Sequence, residues 1–220
     1  IKGLALSGTY IGFSTEVRTV GPGGSEIPII YAERSYLGTA GLQLPLIGSL
    51  GGSGKYYSYS APDSGVDGKD ASASGVGFDL GVLSEPLENL TIGFAAFDLT
   101  GTDIQWKNTP TEPINIVPAR YSVGSAYTFD FDSIKSAESI PGNITLSTQY
   151  TFGPRISNEI SGGLEYNIFL FSLRAGASKP LEGNLQLAAG AGFRVSFLTG
   201  DIAWVQNSSI EGENTTDTLV

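Results

Sequence analysis

A two-residue alternation of apolar with small or polar side chains is the feature that most constrains how this chain can fold. It recurs through most of residues 74–206, and no helical periodicity accompanies it. In residues 185–197, for example, Leu187 and Phe193 occupy odd-numbered positions of the alternation, and Gly190 occupies an even-numbered one. Because successive side chains of a strand point to opposite faces, this alternation predicts β-strands with one apolar face.

The alternating runs divide into about eleven strands, separated by turn residues. Over the first 70 residues the alternation is weaker, with one strand beginning at Leu4 and two more predicted at 35–47 and 52–60. A chain of 220 residues suits a single domain, residues 1–220. Three prolines in 107–118 exclude that segment from a central strand. Loops are expected near 21–27, 61–71, 107–118 and 133–142, and a polar tail is expected at 207–218.

The second face of these strands carries mainly Gly, Ser, Thr and Ala, whereas a face in bulk water normally carries many Lys, Glu and Asp. Only 15% of the residues are charged, and 30 of the 220 are glycine. A small, uncharged face suits an enclosed lumen, and the apolar face suits hydrocarbon. The sequence therefore predicts an all-β, antiparallel up-and-down transmembrane β-barrel of about 10–14 strands, complete or partial.

Composition also excludes several classes of function. The chain has no Cys and no His, which removes disulfides, thiol nucleophiles and the commonest general base and metal ligand. Its net charge of −10, without a basic cluster, argues against nucleic acid as a partner. Asp98 and Asp103 could be drawn as a glycosidase pair, but nothing fixes their spacing, and Asp is ordinary at strand ends. We expect neither an enzyme nor a cofactor.

Several charged and amide side chains fall on the predicted polar face. Glu165, Arg174 and Arg194 lie on consecutive predicted strands with Gln186 nearby, and Asp79 and Gln149 are weaker candidates. They could form a charged lumen patch that filters solutes. The alternative, which we favour, is that these charges satisfy one another inside a barrel filled with side chains.

Aromatic residues near strand ends predict an interfacial girdle, although aromatic residues also favour strands in general. The girdle candidates are Trp106, Tyr121, Tyr150 and Trp204. A separate acidic loop carries Asp63, Asp67 and Asp70, which is a weak calcium candidate. It lacks the EF-hand spacing and contains a lysine, so a solvated loop is the expected reading and no metal is predicted.

From about residue 72 onward the chain carries a series of recognisable segments: 73–83 (ASGVGFDLGVL), 86–93 (PLENLTIG), 102–106, 118–124, 163–166, 171–176, 187–193 and 201–204. In these segments and in their order the chain resembles the PorV/PorQ-type outer-membrane proteins of the FadL-like barrel superfamily. The resemblance implies a fourteen-stranded barrel in a bacterial outer membrane. Family members usually have a longer segment before the similar part and a final strand that closes on an aromatic residue, so we expect a partial or reduced chain.

Three functional hypotheses stay open, of which the first two follow from the resemblance and the third from the low charge and high glycine content. The first is a passive channel or transporter for small or hydrophobic solutes. The second is a scaffold or secretion-system partner in the same membrane, which would use loops 107–118 and 133–142 as contact surfaces. The third is an extracellular structural β protein that forms a sheath or fibre. Membrane lipid is the expected partner in the first two, together with other envelope proteins in the second, and the oligomeric state stays open.

Overall fold

The structure is a computed structural model that describes residues 3–20, 26–45, 48–131, 141–196, 198–207 and 218–219. Most of these residues are in β-strands, and they include a short 3₁₀ turn, Val66–Gly68. None of the helical structure described is long and apolar enough to cross a membrane. The strands are β1 Leu4–Val20, β2 Glu26–Leu44, β3 Gly48–Ala61, β4 Ala71–Leu87, β5 Leu90–Phe97, β6 Thr102–Lys107, β7 Ile114–Val117, β8 Arg120–Asp130, β9 Asn143–Phe152, β10 Glu159–Ile168, β11 Phe171–Pro180, β12 Gln186–Val195, β13 Leu198–Asn207 and β14 Thr218–Leu219.

The strands form one antiparallel sheet that follows the order of the sequence. The order is β1-β2-β3-β4-β5-β8-β9-β10-β11-β12-β13-β14, while β6 pairs with β4 and with β7. This confirms the predicted all-β, up-and-down antiparallel fold. The sequence pattern missed β6 and β7, because each is too short to show a clear alternation.

Some predicted loop limits need correction. Segment 107–118 is not all loop, because β7 occupies Ile114–Val117. Within the described residues β7 pairs only with β6, so the prolines exclude a central strand, as expected, but not a strand at an edge. The loop near 21–27 is shorter than predicted, since β2 begins at Glu26. The rest of that loop, most of loop 133–142 and most of the polar tail lie outside the described residues.

Contacts divide the chain into two compact units. The first unit comprises residues 1–82 and 95–120, and the second comprises residues 83–94 and 121–220. The buried apolar side chains of the described residues all belong to the first unit; they are Ala32, Ala61, Ala71, Ala73, Ala96, Ile104 and Ala119. This core is made almost wholly of alanine, so it is small for the length of the strands around it.

In the second unit, apolar side chains line up across six consecutive strands, β8 to β13. One row, paired residue by residue, is Tyr127, Leu146, Leu164, Ala175, Ala189 and Trp204. The next row is Phe129, Ile144, Tyr166, Leu173, Ala191 and Ile202. Most of the large side chains in these rows are exposed.

The opposite face of the same six strands carries small and polar residues in equally regular rows. One is Ala126, Ser147, Gly163, Gly176, Ala188 and Val205. Its neighbour is Thr128, Thr145, Glu165, Arg174, Gly190 and Ala203. The strand period thus separates two chemically distinct faces, which we call the apolar face and the polar face.

Candidate functional site

The polar face of the second unit carries an ion cluster centred on Arg174. The Arg174 Nε donates to Glu165 Oε2 at 2.6 Å, and its Nη1 donates to Asp201 Oδ1 at 2.5 Å. Asn167 Nδ2 donates to the other Glu165 oxygen at 2.8 Å. The Arg174 and Asp201 side chains are 44% and 50% exposed, so water reaches this cluster. Its formal charge is −1, because two carboxylates share one guanidinium.

Two glycines allow Arg174 to reach Asp201. Arg174 lies on β11 and Asp201 on β13, so the guanidinium has to cross β12, about 5 Å from each neighbour. The β12 residues at that point on the polar face are Gly190 and Gly192. A Cβ added at Gly192 would overlap Asp201 Oδ1 and lie 2.6 Å from Ser172 Oγ. The absence of a side chain on β12 therefore makes this diagonal ion pair possible.

The structure brings together only part of the set predicted on the polar face. Glu165 and Arg174 pair directly, but Arg194 lies four residues along β12 from Gly190, the residue that pairs with Arg174. Gln186 lies four residues in the other direction, so each is about 14 Å away along the strand.

The other amide candidate also lies apart from the ion cluster, since Gln149 Nε2 donates to Thr151 on β9. Asp201 was missed as a member of the cluster. The sequence feature that could have predicted it is that Asp201 lies on the polar face two strands from Arg174, with glycines on the strand between them.

In the first unit a lysine is buried between two carboxylates. The Lys55 Nζ lies 2.7 Å from Asp79 Oδ1 and 2.6 Å from Asp98 Oδ2. Asp98 also accepts hydrogen bonds from the hydroxyls of Tyr57, at 3.0 Å, and Thr102, at 2.8 Å. Lys55 is 8% exposed and Asp98 is 5% exposed. Of these residues, Asp79 was predicted on the polar face and Asp98 was considered only as half of a glycosidase-like pair, whereas Lys55 was not predicted at all.

The turn between β5 and β6 delivers Asp98 to this cluster. Asp98 has a φ of 47°, a left-handed conformation that Asp tolerates better than most residues, and its amide donates to Asp79 Oδ1 at 2.9 Å. Gly77 lies beneath the turn, where an added Cβ would overlap the Asp98 carboxylate and lie 2.6 Å from Thr102 Oγ1. Asp103 is exposed on β6, and its side chain points to the face opposite that of buried Thr102, so it forms no pair with Asp98.

Three of the four girdle candidates lie on the apolar face of the second unit. Tyr121 and Tyr150 lie on the apolar face and both pack against Phe152, with ring centroids 5.6 Å away in each case. Trp204 lies in the apolar row that contains Leu146 and Leu164. The fourth candidate, Trp106, belongs to the first unit, where it stacks on Tyr31 of β2 with ring centroids 6.3 Å apart. Its direction follows from its pairing with Ala73, which shares the face of Gly77 and Asp79.

Three further tyrosines form a row on the apolar face of the first unit. Tyr10, Tyr36 and Tyr56 pair across β1, β2 and β3, and their ring centroids are 5.3 Å and 6.4 Å apart. On one side of this row the same face carries exposed Leu6 and Leu50. On the other side most of its residues are small or polar, with exposed Ile30 among them. Weak alternation in the first 60 residues concealed this row from sequence analysis.

The acidic loop predicted as a weak calcium site does not gather its carboxylates. Asp70 Oδ1 accepts a hydrogen bond from the Asp63 amide at 3.1 Å, whereas Asp67 lies in the 3₁₀ turn with a φ of 57°. Across the described part of the chain, no group of three or more Asp, Glu, His or Cys is arranged to hold a metal ion.

Comparison of the sequence with models of known protein families found no match, and a search of curated proteins found no similar sequence. The two faces, the tyrosine row and the charge clusters are therefore the features from which a function has to be inferred.

Proposed function

We propose that this chain is a bacterial outer-membrane β-barrel protein that gives small or hydrophobic solutes a passive path across the membrane. The observation that carries the proposal is the exposed apolar face of β8–β13, which lies back to back with a polar face. Soluble monomers rarely expose contiguous apolar patches larger than a few hundred Å². Contact with lipid would account for the apolar rows, and contact with water in a lumen would account for the polar rows.

The height of the apolar face supports this proposal. Aromatic residues occur near both ends of β8, at Tyr121 and at Phe129, and eight residues of strand span about 27 Å. Tilted by about 40°, the same segment covers roughly 21 Å of membrane thickness, close to the ~25 Å apolar band of outer-membrane barrels.

Neighbouring substitutions on β9 test the membrane part of the proposal. Leu146 and Ser147 are adjacent, both are exposed, and they point to opposite faces. We expect Leu146→Arg to reduce folding into phospholipid vesicles by about 2–4 kcal/mol, because it places a charge in hydrocarbon. Ser147→Arg should fold nearly as well as the wild type. Equal effects of the two substitutions would contradict a lipid-facing apolar face, because water on both sides would treat them alike.

The passive path is supported by the exposed charges of the polar face. Arg174 is matched by two carboxylates, whereas Arg194 is exposed and has no ion-pair partner among the described residues. If this face lines a water-filled path, the uncompensated Arg194 charge should influence which ions pass.

Conductance in planar bilayers tests the path. Arg194→Glu should shift the reversal potential in a salt gradient toward cation preference. The matched control is Lys179→Glu, because exposed Lys179 pairs with Ile160 on the apolar face and should leave selectivity unchanged. An unaltered reversal potential in Arg194→Glu would remove the support for transport and leave only a membrane protein.

A scaffold in the same membrane is the second candidate, and β7 is the observation that favours it. β7 pairs only with β6 within the described residues, and its Ile114 and Ile116 are exposed. A free strand edge with apolar side chains can accept a strand from another protein. Deletion of 107–111 should then abolish capture of an envelope partner without changing conductance. Membership of the PorV/PorQ-type group stays part of this proposal, since it rests on the sequence resemblance alone.

A further inference from the structure

An arginine lies immediately beyond the tyrosine row on the apolar face of the first unit. Arg34 is two residues from Tyr36 on β2, on the side where the face turns from apolar to polar. It pairs with Gly12 of β1 and with Ser58 of β3, so no large side chain flanks it on either neighbouring strand. The guanidinium therefore stands in an open position at the edge of the apolar face.

The Tyr10 side chain extends toward the same position. A Cβ added at Gly12 would lie 2.5 Å from the Tyr10 hydroxyl and 3.0 Å from Cζ, so the ring lies over Gly12, beside Arg34. A cavity of about 390 Å³ opens here, and its lining includes Tyr10, Gly12, Ser14, Arg34 and Ser60. The cation of Arg34 and the hydroxyls of Tyr10, Ser14 and Ser60 thus face one space. The rest of its lining is Gly12, the apolar residues Phe13, Ile30, Ala32 and Pro62, and the carboxylate-bearing Glu33.

Arg34 has no hydrogen-bond or ion-pair partner among the described residues. The nearby carboxylates are already engaged: Glu33 accepts a hydrogen bond from Tyr31 at 2.6 Å, and Glu16 lies 3.5 Å from Arg18. An exposed guanidinium offers a rigid fork of donors that matches a phosphate group. The charge and the donors at this site are therefore complementary to an anion.

The depth of Arg34 relative to the membrane surface indicates which anion it would meet. Two residues of strand place Arg34 about 7 Å beyond the tyrosine row. Interfacial tyrosines mark the edge of the hydrocarbon, and the headgroup layer beyond it is roughly 5–7 Å thick. Arg34 would therefore lie at the level of lipid phosphates, with the apolar face below it available to the acyl chains.

We propose that Arg34, with the hydroxyls of Tyr10 and neighbouring serines, binds the phosphate of an anionic lipid headgroup. The inference rests on the proposed membrane location, because that location brings lipid to this face. The site would hold a lipid of the surrounding leaflet at the wall of the protein, distinct from any solute on the polar face.

Native mass spectrometry of the full chain, released from micelles containing either phosphatidylglycerol or phosphatidylcholine, tests the proposal. We expect retention of phosphatidylglycerol over phosphatidylcholine, and we expect Arg34→Gln to reduce it about fivefold, the factor for one basic residue at an anionic surface. Arg18→Gln is the control, because it removes an equal charge from the same face but from a residue paired with Glu16.

Equal retention of the two lipids, or unchanged retention in Arg34→Gln, would overturn the inference. Displacement of the lipid by millimolar inorganic phosphate would also overturn it, since the site would then recognise free phosphate. Protease protection of the wild type in vesicles is measured in parallel. Failure to insert contradicts the proposed function, whereas insertion without a lipid preference contradicts only the lipid site.

Discussion

Replacement of Lys55 by Met should strongly destabilise the first unit. The change keeps the length of the side chain but leaves Asp79 and Asp98 facing each other in a site from which water is largely excluded. At an effective dielectric constant of about 20, each contact of the ammonium group is worth about 6 kcal/mol before desolvation is counted. Much of that attraction offsets the cost of burying the charges, and removal of one partner from a buried ion pair costs about 3–5 kcal/mol.

The two tryptophans allow this loss to be assigned to the first unit. Trp106 belongs to that unit and Trp204 to the other, and the chain contains no further tryptophan. In a Trp204→Phe background, urea unfolding in lipid followed by tryptophan fluorescence therefore reports on the first unit. We expect Lys55→Met to lower the free energy of unfolding by about 3–5 kcal/mol at pH 8. Lys107→Met, which alters an exposed lysine of the same unit, should change it by about 0.5 kcal/mol or less.

Measurement of the stability loss at acid pH tests whether the buried charges are its cause. In Lys55→Met the two carboxylates lack a cation, so folding favours their protonated forms and the variant should regain stability as the pH falls. The difference between variant and wild type should therefore be smaller at pH 4 than at pH 8. Addition of Asp79→Asn and Asp98→Asn should recover stability at pH 8. A loss below about 1 kcal/mol, or a loss that is equal at both pH values, would refute the buried-charge explanation.

Other substitutions test the remaining features. Gly192→Ala should destabilise the second unit by about 1–3 kcal/mol, because the new methyl group displaces the Arg174–Asp201 pair. The control is Gly162→Ala, where an added Cβ would lie 3.6 Å from its nearest neighbour. Unfolding is followed by the fluorescence of Trp204 in a Trp106→Phe background. Gly77→Ala should lower the stability of the first unit by a similar amount, measured as for Lys55→Met, and a neutral result would mean that the β5–β6 turn can move away. Brominated lipids should quench Trp204, which lies on the apolar face of the second unit, more strongly than Trp106, which stacks on Tyr31 within the first unit. Equal quenching would contradict contact of the Trp204 row with lipid.

The fold could be predicted from the sequence wherever alternation extends over a whole strand. In β12, for example, Leu187 and Phe193 identify one face, and the glycines identify the other. The β6–β7 hairpin escaped prediction because a strand of four residues, Ile114–Val117, shows too few alternations to exceed chance, and the prolines beside it favoured a loop.

The sites were harder to predict, because they depend on pairings between distant strands. The Glu165–Arg174 pair could be expected, since the two residues lie on consecutive strands joined by a short turn. Lys55 and Asp98 are 43 residues apart, and their contact depends on how the β5–β6 turn folds back. Trp106 was predicted as a girdle residue from its place near a strand end, but the direction of its side chain depends on the register of β6 against β4, which composition does not reveal.

The unbroken pairing of β8 to β13 restricts how the sequence of this region can change. Each row stays on one face of the sheet across six strands. Deletion of a single residue within β10 would therefore turn every later side chain of that strand to the opposite face. Glu165 or its neighbours would then meet the environment of Leu164. Insertions and deletions that preserve the protein should therefore occur in pairs within strands, whereas the connecting turns can change length freely.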